Sequence, residues 1–177
     1  MMDVGSPLPD FELGDVTSGE LVSASYLQGR ANVVAFLCNH CPYVVHIRAA
    51  LRDFSTFCKR EQVPMLGICS NDAVRYPQDG PRAMAEEVQS QGYCFPYLFD
   101  ETQEVARNFG AACTPDFFVY DASGHLAYRG QFDGSRPVND VPVTGDDLRA
   151  AVRALLDGAA MPAQQLPSIG CGIKWRE

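Results

Sequence analysis

Two cysteines three positions apart, in the run Cys38-Asn39-His40-Cys41, carry the most pointed chemistry in this chain. The run follows the apolar stretch Val33 to Leu37 and precedes a stretch of helical periodicity, so it falls at a strand-to-helix junction. A C-x-x-C in that position reads as a dithiol redox centre. The following helix aims unpaired N–H groups and the positive end of its dipole at the first sulfur. Both favour the thiolate, the nucleophilic form of cysteine. On this reading Cys38 lies in the turn as the exposed attacking thiol, and Cys41 lies in the first helical turn and resolves the mixed disulfide. An imidazolium at His40 would stabilise a thiolate, lower the pKa of Cys38 and make the disulfide more oxidising.

The same two cysteines could be half of a zinc site, but that requires two further ligands at compatible spacing. The chain has no second C-x-x-C and no H-x-x-x-H pair, so no metal and no organic cofactor is expected. Thr114-Pro115 stands just before an apolar strand, where a proline in a cis turn would place backbone opposite a reactive loop. Cys58, Cys69 and Cys94 read as core or near-core residues, and His46 and His125 as ordinary satisfied or surface side chains.

These residues need a frame to position them. With 177 residues the chain suffices for one domain with a proper core. A formal net charge of −8 argues against nucleic acid, which needs a basic face, and against an anionic membrane surface. The N-terminal segment Met1 to Ser6 has neither the basic region nor the apolar core of a secretory signal. No apolar run approaches the roughly 18 residues needed to span a bilayer. Seven cysteines without framework spacing also suit a reducing compartment. The expected location is therefore the cytoplasm.

The pattern predicts an extended lead-in through Phe11 and Leu13, then a turn and a short return segment over Glu20 to Tyr26. Strands follow at Val33 to Leu37, Val63 to Cys69, Phe95 to Phe99 and Phe117 to Tyr120, the last pairing with His125 to Arg129 across the turn Asp121 to Gly124. Helices are predicted over Pro42 to Arg60, Pro81 to Gln91, Thr102 to Phe109 with Thr102 as cap, and Asp146 to Leu156. The order implies an α/β fold with a central mixed sheet and helices on both faces. The domain is read as 1–157, with 158–177 as a C-terminal tail packed upon it.

The lead-in Pro7-x-Pro9-x-Phe11-x-Leu13, the C-x-x-C and Thr114-Pro115-x-x-Phe118-x-x-Asp121-x-x-Gly124 together resemble the thioredoxin-fold redoxins. That superfamily includes thiol–disulfide oxidoreductases and the AhpC/TSA peroxiredoxins. Cys38-Asn39-His40-Cys41-Pro42-Tyr43-Val44 and Ile169-Gly170-Cys171-Gly172-Ile173-Lys174-Trp175 are similar to a bacterial group of predicted cytosolic proteins of this kind. The resemblance implies a cis Pro115 facing the C-x-x-C. Cys113 would then lie near the pair and could form an alternative disulfide. Cys171, in the tail, could reach another site or another subunit. Asn39 and Thr114 are auxiliary positions beside the reactive ones.

The departures separate the subclasses. Cys38 stands where the peroxiredoxin signature Thr-x-x-Cys-Pro has its threonine, and Pro115 stands where peroxiredoxins place an arginine. Thioredoxin's tryptophan and buried aspartate correspond here to Leu37 and Asn32. The leading expectation is a thiol–disulfide oxidoreductase cycling Cys38 and Cys41. Its partners would be a disulfide-containing protein or small-molecule thiol substrate and a thiol reductant protein. The alternative is an antioxidant thiol peroxidase of AhpC/TSA type, with Cys41 peroxidatic and Cys38 resolving. A third reading, from another class, is a binding module that holds a metal or partner through the same loop.

Overall fold

Burial alternation builds the core. In β3 (Ala31–Phe36) all six residues are buried, Val33 and Ala35 facing one side of the sheet and Val34 and Phe36 the other. A computed structural model describes residues 2–177; Met1 lies outside the described residues. The chain begins with β1 (Glu12–Asp15) and β2 (Leu21–Ser23), a hairpin at the sheet edge. After β3 come α1 (Pro42–Arg60), β4 (Met65–Cys69), α2 (Pro81–Gln91), β5 (Tyr97–Phe99) and α3 (Glu104–Phe109). Then follow β6 (Cys113–Thr114), β7 (Asp116–Asp121), β8 (Leu126–Gly130), α4 (Asp146–Asp157) and β9 (Cys171–Gly172).

Seven strands form one mixed sheet in the order β2-β1-β5-β4-β3-β7-β8. Strands β3, β4 and β5 run parallel, while β7, β8 and the β1–β2 hairpin are antiparallel to their neighbours. On one face α1, α2 and α4 bury Leu51, Phe54, Met84, Leu148 and Val152 against Val33, Met65, Tyr97 and Phe117. On the other, α3 contributes Val105, Ala106 and Phe109 to a cluster with Phe11, Phe36, Leu66, Phe118 and Tyr120. The expected α/β sheet with helices on both faces is therefore present. Among the described residues, no helix is long and apolar enough to cross a membrane.

The bounds of α1 and α2 coincide with those predicted from periodicity. Two strands start later than expected because Pro64 and Pro96 lack the N–H that a ladder position requires. The expected Thr102 cap is also corrected. Buried Asp100 receives the Ala106 N–H at 2.9 Å and the Ser70 hydroxyl at 2.8 Å, so its carboxylate ties the start of α3 to the end of β4.

The tail was legible only as an appendage. Its strand β9 pairs antiparallel with β6, setting Cys113 opposite Gly172 and Thr114 opposite Cys171. Lys174 is held by Asn71 and Asp72 through its backbone, and Gln103 bonds both the Lys174 carbonyl (2.9 Å) and the Arg176 N–H (2.9 Å). Ile173 is buried in the α3-side core, and the Arg107 guanidinium lies 4.5 Å over the Trp175 ring.

Phe109 is fully buried and meets the rings of Phe11, Phe36, Phe118 and Tyr120. Phe109→Ala should cost about 3–5 kcal/mol, read as a lowered denaturation midpoint with an unchanged slope. A loss well under that range would mean the α3 face is not a packed core.

Candidate active site

The dithiol loop leaves β3 at Leu37 and enters α1 at Pro42, so the sheet and the helix fix its two ends. Pro42 opens the helix, where its missing N–H leaves nothing unpaired, and Cys41 is the N-cap in extended conformation. Both cysteines are enclosed. Cys38 is 1% exposed and Cys41 0%, which corrects the expectation of an exposed attacking Cys38. Cys41 also precedes the first helical turn instead of lying within it.

Thr114 is the other wall. Its Oγ1 lies 3.3 Å from the Cys38 sulfur, and its carbonyl accepts from the Cys41 thiol at 3.2 Å. The Thr114–Pro115 bond is cis, as the resemblance implied, and presents this backbone to the pair. The tail closes the site from behind, pairing Cys171 with Thr114, whose carbonyl touches the Cys41 sulfur.

The two sulfurs differ sharply in environment. The Cys38 thiol donates to Cys41, which pulls the Cys41 pKa well below the ordinary cysteine range; Cys171 and the Val44 N–H act in the same direction. The Thr114 carbonyl favours the protonated form, but it stands alone against several donors. Cys38 moves the opposite way. Its hydrogen bond to Cys41, its burial and the nearby Asp79 anion all raise its pKa. The helix end, which the sequence pattern aimed at the first sulfur, thus serves the second. The balance of these contacts favours ionisation at Cys41 over Cys38.

Asp79 is the residue that sequence reasoning missed. It is fully buried in the turn before α2 and accepts from the Asn39 N–H (2.8 Å) and the Asn71 amide (2.9 Å). Its Oδ2 lies 2.5 Å from His40 Nδ1, and the His40 ring stacks on Tyr76 with centroids 5.3 Å apart. His40 is therefore oriented by a carboxylate. Nothing in the run Pro77-Gln78-Asp79-Gly80 distinguishes it from a surface turn. Asn32, at the position of thioredoxin's buried aspartate, instead bonds the Gly29 backbone and caps the end of β7.

Cys38, His40 and Asp79 offer three ligand atoms within 4.8 Å of one another, the set that could hold a metal. The Asp79 oxygens are already engaged by Asn39, Asn71 and His40, so the trio is better described as a histidine–carboxylate pair beside a thiol. Asn39 also bonds Gln78 and receives Arg48 on its carbonyl, which stiffens the loop.

The Cys113 sulfur lies near the Pro115 and Ser168 carbonyls, and burial pushes its pKa up to about 12. Cys58 and Cys69 are buried as expected, but Cys94 is exposed, because it lies in the turn between α2 and β5. His46 is satisfied by Ser135 at 2.7 Å.

A buried dithiol between a helix N-terminus and a cis-proline loop, on this sheet, defines a thioredoxin-fold redoxin. The AhpC/TSA family model matches residues 4–129, and the chain belongs to that family. An uncharacterized conserved protein from Geobacillus kaustophilus is 46% identical with a TM-score of 0.97, covering 99% of this chain and 94% of its own. A hypothetical protein from Sinorhizobium meliloti 1021 is 46% identical with a TM-score of 0.96, covering 99% of this chain and 96% of its own. A thiol:disulfide interchange protein from Chlorobium tepidum TLS shares the fold at 20% identity and TM-score 0.66, covering 88% of this chain and 99% of its own. Among curated proteins no match was found.

With its pKa lowered by the Cys38 thiol, Cys41 is expected to be ionised at neutral pH. The ultraviolet thiolate band of the reduced protein should therefore persist at neutrality and vanish only on acidification well below the ordinary cysteine value of about 8.5. Cys41→Ser should lack the band at neutral pH, and Cys38→Ala should move its midpoint upward by removing a donor. A band that survives Cys41→Ser would assign the thiolate to another cysteine.

Proposed function

We propose that the protein is a thiol–disulfide oxidoreductase that cycles Cys38 and Cys41 between dithiol and disulfide. The single observation that carries this reading is the buried pair of cysteines at the N-terminus of α1, both sulfurs in contact with Thr114 of the cis-proline loop. Cys41 is the nucleophile and Cys38 resolves, the reverse of the order expected from sequence. The Cys41 thiolate attacks one sulfur of a substrate disulfide and expels the other half as a thiolate. Cys38 then attacks the Cys41 sulfur, the pair closes as a disulfide, and the second substrate thiol leaves.

The chemistry is self-timed. Cys38 is held protonated chiefly by donating to the Cys41 thiolate. Once Cys41 is bound in the mixed disulfide that acceptor is gone, and Cys38 becomes easier to ionise. His40, oriented by Asp79, lies within 4.8 Å of the Cys38 sulfur, a span that one water can bridge to take its proton. Pro115 and Thr114 shape the groove, and Asn39 fixes the loop. The substrate is a disulfide-containing protein or a small-molecule disulfide. A thiol protein of the reducing cytoplasm supplies the electrons.

A second reading is favoured by the burial of Cys41, which suits a small oxidant better than a protein. A hydroperoxide would be split by the Cys41 thiolate, forming a sulfenic acid and releasing the alcohol or water. Cys38 would condense with the sulfenic acid to a disulfide and a second water. This is the AhpC/TSA-type peroxidase reading.

Cys41→Ser should abolish turnover, whereas the double variant Cys38→Ser/Cys171→Ser should accumulate a mixed disulfide on Cys41 visible by mass. Trapping on Cys38 in the Cys41→Ser protein would restore the opposite order. Asp79→Asn and His40→Ala should each slow closure of the pair about a hundredfold while leaving the Cys41 attack step in place. Stopped-flow oxidation of the reduced protein by hydrogen peroxide separates the two readings. A rate close to that of free cysteine supports disulfide exchange, and a rate far above it supports the peroxidase.

A further inference from the structure

The pair that must meet an external reductant is enclosed, while a third thiol bridges it to the surface. Cys41 is 0% exposed, yet Cys171 is half-buried and adjoins Cys41 across the Thr114 backbone. The contact is built by the fold. Strand β9 sets Cys171 opposite Thr114, the residue whose carbonyl touches the Cys41 sulfur. Gly170 fixes the approach, because a Cβ there would overlap the Thr114 carbonyl oxygen and fall 2.6 Å from its carbon and 3.1 Å from the Pro115 nitrogen. Only a glycine lets the tail lie this close to the cis-proline loop. Backbone bonds from Ile173 to Ala112 and from Lys174 to Asn71 hold the strand on its far side.

We propose that Cys171 is a third redox cysteine, the port through which electrons enter the buried pair. The proposal rests on the Cys38/Cys41 cycle proposed above. In the first step the Cys171 thiolate attacks the Cys41 sulfur of the Cys38–Cys41 disulfide. A Cys41–Cys171 bond forms, the Cys38–Cys41 bond breaks, and Cys38 leaves as a thiolate that takes up the proton released by Cys171. This exchange involves no net oxidation. In the second step an external dithiol attacks the exposed side of the new bond at Cys171, and Cys41 leaves as the thiolate its site favours. The second thiol of the reductant then frees Cys171. The dithiol ends as a disulfide, and the protein has gained two electrons and two protons.

The test oxidises wild type, Cys38→Ser, Cys171→Ser and Gly170→Ala with a small disulfide oxidant and maps the bonds by peptide mass spectrometry. Reduction by dithiothreitol is then timed, and a thermal melt of each variant checks its fold. Cys38→Ser should form Cys41–Cys171 as its principal bond. Cys171→Ser should still form Cys38–Cys41 but be reduced about tenfold more slowly than wild type. Gly170→Ala, with every cysteine kept, should show the same slowing, because the added Cβ lifts Cys171 off Cys41. Wild-type reduction rates in Cys171→Ser, or no Cys41–Cys171 bond in Cys38→Ser, overturn the port while leaving the Cys38/Cys41 cycle standing. Absence of a Cys38–Cys41 bond in both wild type and Cys171→Ser overturns the cycle itself, and the port falls with it.

Discussion

The peptide between Thr114 and Pro115 is the contact on which the site depends. One residue touches both reactive sulfurs, through a hydroxyl to Cys38 and a carbonyl to Cys41, and its other side is packed against Gly170. A short strand pair, β6 with β9, holds that peptide between the helix end and the tail. The large sheet supplies rigidity behind it. Strand β7, which begins at Asp116, is hydrogen-bonded along its length to β3, the strand that delivers Cys38. The two halves of the site are thus carried by neighbouring strands of one sheet, although they are far apart in sequence.

Within that frame, polarity is set by small differences of position. Both thiols are out of water, and burial alone would raise both pKa values. Cys41 escapes that outcome because it stands at a helix N-cap beside the Cys38 thiol. Cys38 stands beside the buried Asp79, whose charge disfavours a second anion. Two cysteines of identical chemistry are driven apart, one toward thiolate and one toward thiol. A strongly buried carboxylate would be costly unless paired, and Asp79 has three partners for its two oxygens.

Much of this was legible in the sequence, and the limits have physical causes. Strong 3.6-residue periodicity with proline starts placed α1 and α2 to the residue, since those signals are local. The two late strand starts followed from prolines whose missing N–H a pattern of apolar residues does not register. Cys38 and Cys41 stood out by spacing, and Pro115 by resemblance. Which sulfur sits at the helix cap could not be read, because it depends on a loop running four residues from Leu37 before Pro42 can turn into the helix. Asp79 was invisible for a stronger reason: its importance arises wholly from tertiary contacts, and in sequence it is an acidic residue beside a glycine. The pairing of β9 with β6 was hidden likewise, since two-residue strands carry no periodicity.

The β6–β9 pairing also bears on how large a substrate can be. Extended peptides are commonly recognised by adding a strand to a free edge. At β6 that edge is already taken by the chain's own C-terminus, so a polypeptide must compete with an intramolecular ligand of very high effective concentration. Its apparent affinity is reduced by the fraction of time the tail spends away. A molecule of a few atoms needs no such edge. The β6 edge is thus paired within the chain, and any extended polypeptide that used it would first have to displace β9.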